Sequence, residues 1–444
     1  MKKTTNSLQR GEPFIWMGGA ALALILLTVI LMLGVVLANG AGAFWPARLS
    51  LLELKDGSRV LGEVTRRQAE TPHSAERLQI RVGNRDMYGA DFRWIETTAI
   101  KAESYPPDAV WAERMEHGPF IGFVKTETKS GAAAMIVLAD ASGREKTLTA
   151  GQVVRLYRPN AMSFQAKFGL YLARLWELLS GQPREANTEG GLLPAIIGTV
   201  MMVFLMSIFA FPLGVMTAVY LREYAKDGWA VRGVRIAVNN LAGIPSIVYG
   251  IFGLGFFVYG VGAGIDRLFF ADKLPTPTWG TGGILWASLT LSLLTVPVVI
   301  VATEEALGAI PPGVRQASLA LGATPLQTLT RVLLPMASPG IMTGFILAMA
   351  RAAGEVAPLM LTGVVKLAPS LPLDGSFPFV HLDRKFMHLG FHIYDVGFQS
   401  PNVEASRPMV FMTTLLLLAI VLVMSGTAVW LRNRMRKRYA GGAF

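Results

Sequence analysis

Six runs of apolar residues, at 14–38, 192–221, 235–262, 283–302, 338–365 and 408–431, dominate the pattern of this chain. Each has about the 20 residues or more that an α-helix needs to cross ~30 Å of hydrocarbon. A bilayer offers no water to an unpaired backbone amide, so runs of this length are expected as helices. Residues 44–190 differ in kind, being polar with acidic and basic side chains nearly in balance. Leu52-Glu53-Leu54-Lys55-Asp56-Gly57-Ser58-Arg59-Val60 alternates about an Asp-Gly turn, which is a hairpin signal. Similar runs at Leu78–Val82, Phe120–Thr126, Met135–Leu138 and Gln152–Tyr157 predict further strands, and Ser163–Leu179 an amphipathic helix leading back to the membrane. The pattern predicts an all-α polytopic membrane protein with six transmembrane helices and a small β-rich domain between helices 1 and 2. Its segments are 1–43, 44–190 and 191–444. No constellation in 44–190 resembles a catalytic site.

The polar connection between the fourth and fifth runs, within 303–337, carries helix punctuation. Pro311 and Pro312 open a helix on which Val314, Ala317 and Leu321 recur at helical spacing. Gly322 suits the left-handed residue just past its end. Thr324, Pro325 and Gln327 read as N-cap, first-turn proline and the far side of a capping box. A second helix runs through Leu326, Leu329 and Val332, and Pro335 is expected to stop it. A DNA-binding helix-turn-helix looks locally similar, but Arg315 and Arg331 are too few bases to anchor a duplex, and both flanks enter the membrane. An amphipathic connector and a docking element seated in a partner's groove remain.

The fifth run carries an arginine and a glutamate. Ser338 and Pro339 can cap a helix reaching to about Val365. Gly340, Gly344, Ala348 and Ala352, spaced by four, form a small-residue face that admits a neighbouring helix. At 100° per residue this stripe covers an arc of ~120°, and Arg351 at ~20° and Glu355 at ~60° fall inside it. Both charges are therefore expected on the packed side, with Arg351 ~18 Å from Pro339 and near mid-membrane. Pro358 cannot donate to the carbonyl of Gly354, which weakens the helix one turn beyond the pair. The plain alternative is an ion pair that neutralises itself; intramembrane charge costs enough that a substrate path or gate is the default reading.

Composition agrees with a membrane protein: 52% of residues are hydrophobic and 16% charged. With no Cys, disulfides and thiolate metal sites do not arise. The net charge of +11 comes from bases clustered at helix ends, as the positive-inside rule expects, and not from a nucleic-acid surface. Lys2, Lys3 and Arg10 precede the first run, while Arg222, Lys226, Arg232 and Arg235 follow the second. Arg432, Arg434, Arg436, Lys437 and Arg438 end the chain. These place both termini and the 311–335 loop in the cytoplasm and 44–190 outside. At ~25 residues the first run is too long for a signal-peptide core and is expected to span; Ala41-Gly42-Ala43 resembles a cleavage site, which leaves a cleaved signal as the alternative. His381, His388 and His392 lie in the outer loop 366–407 without a carboxylate-rich metal motif, so no metal is expected. No GxxxxGK[ST] occurs, so ATP has no P-loop here.

Two stretches carry a family resemblance. Gln316-Ala317-Ser318, Gly322 and Val332-x-Leu334-Pro335 match the spacing of the signature loop of ABC importer permeases: Glu-Ala-Ala, three residues, Gly, nine residues, Ile-x-Leu-Pro. The departures are Gln316 for glutamate, Ser318 for alanine and Val332 for isoleucine; Gln316 cannot supply the charge of the usual glutamate. Asn239-Asn240-Leu241-Ala242-Gly243-Ile244-Pro245-Ser246-Ile247-Val248-Tyr249-Gly250 resembles the NLAGxPSIVYG segment of phosphate-specific (Pst) ABC transporter permeases. Phe211–Gly214, Tyr220–Ala225, Thr303–Leu307 and Arg351–Glu355 with Ala357-Pro358-Leu359 resemble the same family, and the Ala-Pro-Leu ending of that motif looks like the A-type (PstA) subunit rather than its C-type partner. The resemblance covers roughly residues 190–440 and leaves 44–190 unexplained.

It implies the type I importer permease (MetI-like) fold and half of a phosphate translocation path. It also implies a coupling helix (Gln316, Ala317, Ser318, Gly322, Thr324, Pro335) seated on a separate ATPase. Asn240, Gly243, Pro245, Tyr249, Gly340, Gly344 and Pro358 would serve helix packing or gating. The implied partners are a C-type permease subunit, a pair of ATP-binding subunits and an extracytoplasmic phosphate-binding protein. No cofactor is expected on this chain, ATP and Mg²⁺ belonging to the ATPase, and no enzyme activity of its own. The implied location is the bacterial inner membrane. Other readings are an ion-coupled anion carrier using Arg351 and Glu355 as a relay, a permease for another oxyanion, and a membrane-anchored scaffold acting through 44–190.

Overall fold

The first apolar run forms a single helix, α1 (Glu12–Gly42), because nothing within it breaks the helical ladder. None of its most apolar stretch is covered by the rest of the chain, as expected of a helix whose surroundings are lipid. The computed structural model describes residues 12–69, 75–128, 135–226 and 228–440; Lys2, Lys3 and Arg10 lie outside them. The described chain divides into two compact units. One holds Met1–Gly191 with Ser400–Met412; the other holds Leu192–Gln399 with Thr413–Phe444.

In the first unit β1 (Leu49–Leu54) and β2 (Arg59–Gln68) form the hairpin read from the sequence. Its turn is closed by Gly57 at φ +83° and by Asp56, which accepts from the Ser58 amide at 2.9 Å. Next come β3 (Arg77–Arg81), α2 (Arg85–Tyr88), β4 (Phe92–Glu96) and β5 (Ile100–Ser104). The strands pair in the order β4-β3-β2-β1-β5, all antiparallel. A second sheet joins β6 (Ala109–Arg114), β7 (Phe120–Thr128), β8 (Met135–Ala139), β9 (Glu145–Thr149) and β10 (Val153–Tyr157) in the order β10-β6-β7-β8-β9. Leu49 and Leu61 of the first sheet share a core with Ala109, Trp111 and Ile121 of the second. The helix α3 (Phe164–Ser180) follows, its Ser163 N-cap accepting from the Ala166 amide, and then the two-residue strands β11 (Pro183–Arg184) and β12 (Glu189–Gly190). Strand β6 escapes the sequence pattern although every residue in it is buried. Its last two residues are Glu113 and Arg114, charges satisfied inside the fold by Arg155, Arg174 and Asp86.

The second unit is helical. It begins with α4 (Leu193–Val219), extended by a wide turn over Tyr220–Tyr224. Then come α5 (Trp229–Leu241), α6 (Ser246–Phe252), a wide-turn stretch Gly253–Gly262, α7 (Ala263–Phe269) and α8 (Ile284–Gly308). The loop helices α9 (Pro312–Ala320) and α10 (Pro325–Thr328) lead through Leu329–Leu333 into α11 (Leu334–Gly354). The short α12 (Ala357–Thr362) and α13 (Leu389–Tyr394) precede α14 (Val403–Ala440), whose first turns belong to the first unit. Among the described residues six helices are long and apolar enough to span: Pro13–Gly42, Leu193–Tyr224, Ser246–Phe269, Ile284–Gly308, Pro325–Gly354 and Val403–Arg434. The central one is α8, with 67% of its apolar window buried. Met202 and Met206 of α4, Ala287 and Leu291 of α8, and Ala352 and Ala353 of α11 form the core.

Three expectations are corrected here. The third span starts at Ser246 and not at 235. Pro245 has no amide to give and sits at φ −56°, ψ 137°, so the helix breaks over 242–245 and the arginine-bearing part becomes the separate amphipathic α5. Pro335 does not stop its helix, and Ser338 does not cap a new one. The wide turn over Leu329–Leu333 lets the Leu334 amide reach back to Leu329, which accommodates the Pro335 ring and keeps 325–354 continuous. Ser338 instead donates its hydroxyl at 2.8 Å to the Pro335 carbonyl that Pro339 cannot serve. Finally, α11 ends at Gly354 and does not run to Val365.

Candidate functional site

The loop between α8 and α11 folds locally as its punctuation dictates. Thr324 and Gln327 make both bonds of the capping box, Gln327 amide to Thr324 hydroxyl at 3.2 Å and Thr324 amide to Gln327 side chain at 2.9 Å. Gly322 sits at φ +85°, with its amide on Leu319 at 3.0 Å and the next amide, of Ala323, on Ser318 at 3.2 Å. This pair of bonds satisfies the last carbonyls of α9. The Ser318 hydroxyl lies 2.9 Å from that of Thr328 and ties the two arms together.

Which side faces inward is not what the spacing implied. Val314, Leu329 and Leu333 pack on Leu307, Ile310, Ala337 and Ile341. By contrast Leu321 is 89% and Leu326 62% exposed, and Gln316 and Ala317 are exposed beside them. The loop thus presents an uncovered apolar tip carried on a packed base.

Its base is held by a charge pair that sequence spacing does not show. Arg315 of α9 grips both oxygens of Glu223, just past α4, with Nε to Oε2 at 3.0 Å. Both side chains are mostly buried, at 26% and 14% exposed. Arg235 of α5 lies 3.5 Å from Glu304 of α8, a second tie on the same end. Glu223 and Glu304 had been singled out only as parts of short resemblance motifs.

At the other end of α11, Arg351 and Glu355 form an ion pair at 3.4 Å. Their placement corrects the helical-wheel expectation. Gly344, Ala348 and Ala352 are buried, and a β-carbon on Gly344 would lie 2.2 Å from that of Ala302 on α8. Gly340 is exposed yet meets Ala306 in the same way. The Arg351 side chain is 45% exposed and that of Glu355 19%, so the pair lies beside the packed stripe, on a surface the chain leaves open. The helix breaks at the pair and not one turn past it. Glu355 is extended at ψ 136° and Pro358 lies in the first turn of α12, where its missing amide and ring exclude a continuous helix. Pro358 is buried against Gly250, whose β-carbon would stand 2.7 Å from the proline Cα. The adjacent Tyr249 is buried and within electrostatic range of Arg351; its hydroxyl donates at 2.7 Å to the Leu241 carbonyl across the α5–α6 break. Asn240 and Gly243 are exposed. The structure therefore brings together Tyr249, Arg351, Glu355 and Pro358, and leaves Asn240, Gly243 and the α9–α10 loop apart from them.

The outer-loop histidines have structural partners. His388 caps α13 by accepting from the Gly390 amide at 3.1 Å, His392 meets the Thr413 hydroxyl at 3.2 Å, and His381 meets Asp374 at 3.0 Å. Among the described residues no His, Cys, Asp and Glu cluster could hold a metal.

In the first unit a cavity of about 580 Å³ is lined by charged side chains including Glu63, Arg81, Glu113, Arg174 and Glu189. Sequence reasoning assigned this domain no chemistry. Arg174 joins Glu113, Tyr157 and the Phe44 carbonyl, and Gln79 donates to Glu404 at 2.6 Å. Burial pushes the carboxyls of Glu63 and Glu189 above the usual carboxylate range, against the opposing charge of Arg81.

Residues 210–437, just over half of the chain, match the model of the binding-protein-dependent transport system inner membrane component family. This chain belongs to that family. The matched region holds the α8–α11 loop, the Arg351–Glu355 pair and five of the six apolar helices in whole or part. Among relatives, the chain is 34% identical over 44% of its length to "Probable ABC transporter permease protein YqgH" of Bacillus subtilis, covering 60% of that protein. It is 31% identical over 49% of its length to "Probable phosphate transport system permease protein PstA" of Methanocaldococcus jannaschii, covering 67% of it. It is 37% identical over 42% of its length to "Phosphate transport system permease protein PstA 1" of Mycobacterium tuberculosis, covering 54%. The matches thus span between about half and two thirds of these relatives. Among solved structures it is similar to the MetNI methionine ABC transporter in inward-facing conformations, at 21% identity, over 55% of this chain and 95% of that one, with a TM-score of 0.40. As a family member the chain is a multi-pass inner-membrane permease component.

Proposed function

We propose that this permease forms half of the translocation path of an ATP-driven importer of inorganic phosphate, in the type I (MetI-like) arrangement. The observation that carries the reading is the loop of α9 and α10: it has the signature spacing, a rigid base pinned by Arg315 and Glu223, and an apolar tip that nothing in the chain covers. A tip built of Leu321 and Leu326 on a packed base fits a groove of a separate ATP-hydrolysing subunit, which would carry ATP and Mg²⁺. Relatives named as phosphate transport permeases supply the substrate. The open surface beside Arg351 and Glu355 would face a second permease subunit of the C type. There a guanidinium meets a passing phosphate through charge-assisted hydrogen bonds, while Glu355 limits how tightly it holds. An extracytoplasmic phosphate-binding protein would deliver the anion. The clusters of bases at 222–235 and 432–438 support an orientation with the loop and both termini inside and 44–190 outside.

The test is uptake of radiolabelled phosphate by proteoliposomes holding the complete transporter. Uptake should require ATP and a functional partner ATPase, and Arg351→Gln with Glu355→Gln should abolish it while assembly survives. Arg351→Lys should also be impaired, since an ammonium lacks the planar fork. Uptake without ATP would identify an ion-coupled carrier. Uptake by the double variant near the unmodified rate would remove the pair from the path.

A further inference from the structure

The helix α3 has its polarity inverted. On an ordinary surface helix the charged side chains face water and the apolar ones face the core. Here Phe164 is 72%, Phe168 47%, Leu172 49%, Trp176 69% and Leu179 42% exposed. At 100° per residue these five large apolar side chains fall in an arc of ~120°. The charges of the same helix lie on its other side and are consumed within the unit. Lys167 donates to the Pro46 carbonyl at 3.3 Å, Arg174 to the Phe44 carbonyl at 3.0 Å, and Glu177 pairs with Arg155 at 3.1 Å and with Arg184. The outward arc carries no charged residue.

Where α3 lies in the first unit says what covers that face. Residues 44–46, held by Lys167 and Arg174, lie just beyond α1, whose most apolar stretch is uncovered. Trp45 stacks obliquely on Phe164 and Tyr171, with ring centres 5.6 Å and 6.0 Å apart. The wall of the charged cavity brings Arg174 and Glu177 together with Asn39 and Gly42 at the end of α1 and with Glu404 and Phe411 at the start of α14. So α3 is sewn to the unit at the level where two spanning helices leave the apolar layer.

We propose that α3 is an interfacial membrane helix: its Phe164–Leu179 face lies in the headgroup and upper acyl region of the leaflet into which α1 and α14 emerge. Aromatic side chains are suited to that depth, and a helix with one apolar face and no charge on it lies in the plane of the interface. The helix fixes the height of the β-rich domain over the bilayer. The inference needs only that α1 and α14 span a membrane, and stands whatever the transported solute is.

The absence of native cysteine allows a direct test on the full chain in nanodiscs. Phe168→Cys, Leu172→Cys and Trp176→Cys, each spin-labelled, are compared with Leu31→Cys on α1 and Ser142→Cys in a turn of the β-rich domain. The three α3 labels should collide with oxygen in preference to a water-soluble nickel chelate, with a ratio closer to position 31 than to position 142. A nickel-dominated ratio at all three would show the face in water. Immobilised labels reached by neither reagent would show a protein partner covering it. Either result overturns the proposal. Without labels, Trp176→Phe should lower the share of tryptophan emission that brominated lipid chains quench, and an unchanged share would also overturn it.

Discussion

The conformation of Gly322 makes a graded prediction for the loop of α9 and α10, proposed above to couple to an ATPase. Its φ of +85° is left-handed, and a β-carbon placed there would meet no atom within 4 Å. Steric contact with neighbours therefore adds nothing, and any cost of substitution is backbone strain in the turn that closes α9. A side chain with a β-carbon costs ~1–2 kcal/mol in this region, β-branched residues the most, while asparagine tolerates it. Taking ~1 kcal/mol for Gly322→Ala and ~2 kcal/mol for Gly322→Val, the equilibrium for opening the turn should rise about 5-fold and about 30-fold, at 1.4 kcal/mol per factor of ten. Gly322→Asn should stay within a few tenths of a kcal/mol of the parent. Hydrogen exchange of peptides covering 312–328 in the purified protein reads this opening directly, since the Gly322 and Ala323 amides are the ones bonded to Leu319 and Ser318. Stimulation of the partner ATPase should fall in the same order, with valine worst. Exchange in Gly322→Val equal to the parent would refute the reasoning, as would an asparagine variant as open as the valine one.

Two further outcomes follow from other contacts. Arg315→Ala and Glu223→Ala each leave a largely buried partner unpaired, so each should cost ~2–3 kcal/mol, with the double variant milder than their sum by at least ~1 kcal/mol. Thermal unfolding of the four proteins measures the coupling, and additive losses would show that the pair does not anchor the loop. Burial holds the His388 imidazole down at about 3, against ~6.5 in an unfolded chain. As pH falls below ~6.5 the unfolded chain takes up that proton first, so stability should drop by up to ~1.4 kcal/mol per pH unit toward pH 3. His388→Asn keeps a cap acceptor for the Gly390 amide and should lose less melting temperature between pH 7 and pH 5; equal losses would count against the buried imidazole.

What the sequence determined by itself is what depends on neighbours within a turn or two. Hydrophobic length found the six spans, though not the bounds of the third and fifth, the Asp56-Gly57 turn placed the first hairpin, and Thr324 with Gln327 and Gly322 placed the loop helices. Each rests on a local cause: hydrocarbon thickness, a left-handed residue, or orphaned amides at a helix start. Only the tertiary structure decided the rest. The wide turn over Leu329–Leu333 carries a helix through Pro335, while the helices break at Pro245 and just before Pro358, a difference that the presence of proline alone does not reveal. Arg315 and Glu223 stand 92 residues apart, and no pattern of period 3.6 or 2 links them. The wheel put Arg351 with the small-residue stripe, but the face that meets Ala302 and Ala306 leaves it exposed. The periodicity of α3 announced an amphipathic helix. Which of its faces turns outward depends on where its charges find partners, and those lie in other elements: Pro46 and Phe44 beyond α1, Glu113 on β6 and Arg155 on β10.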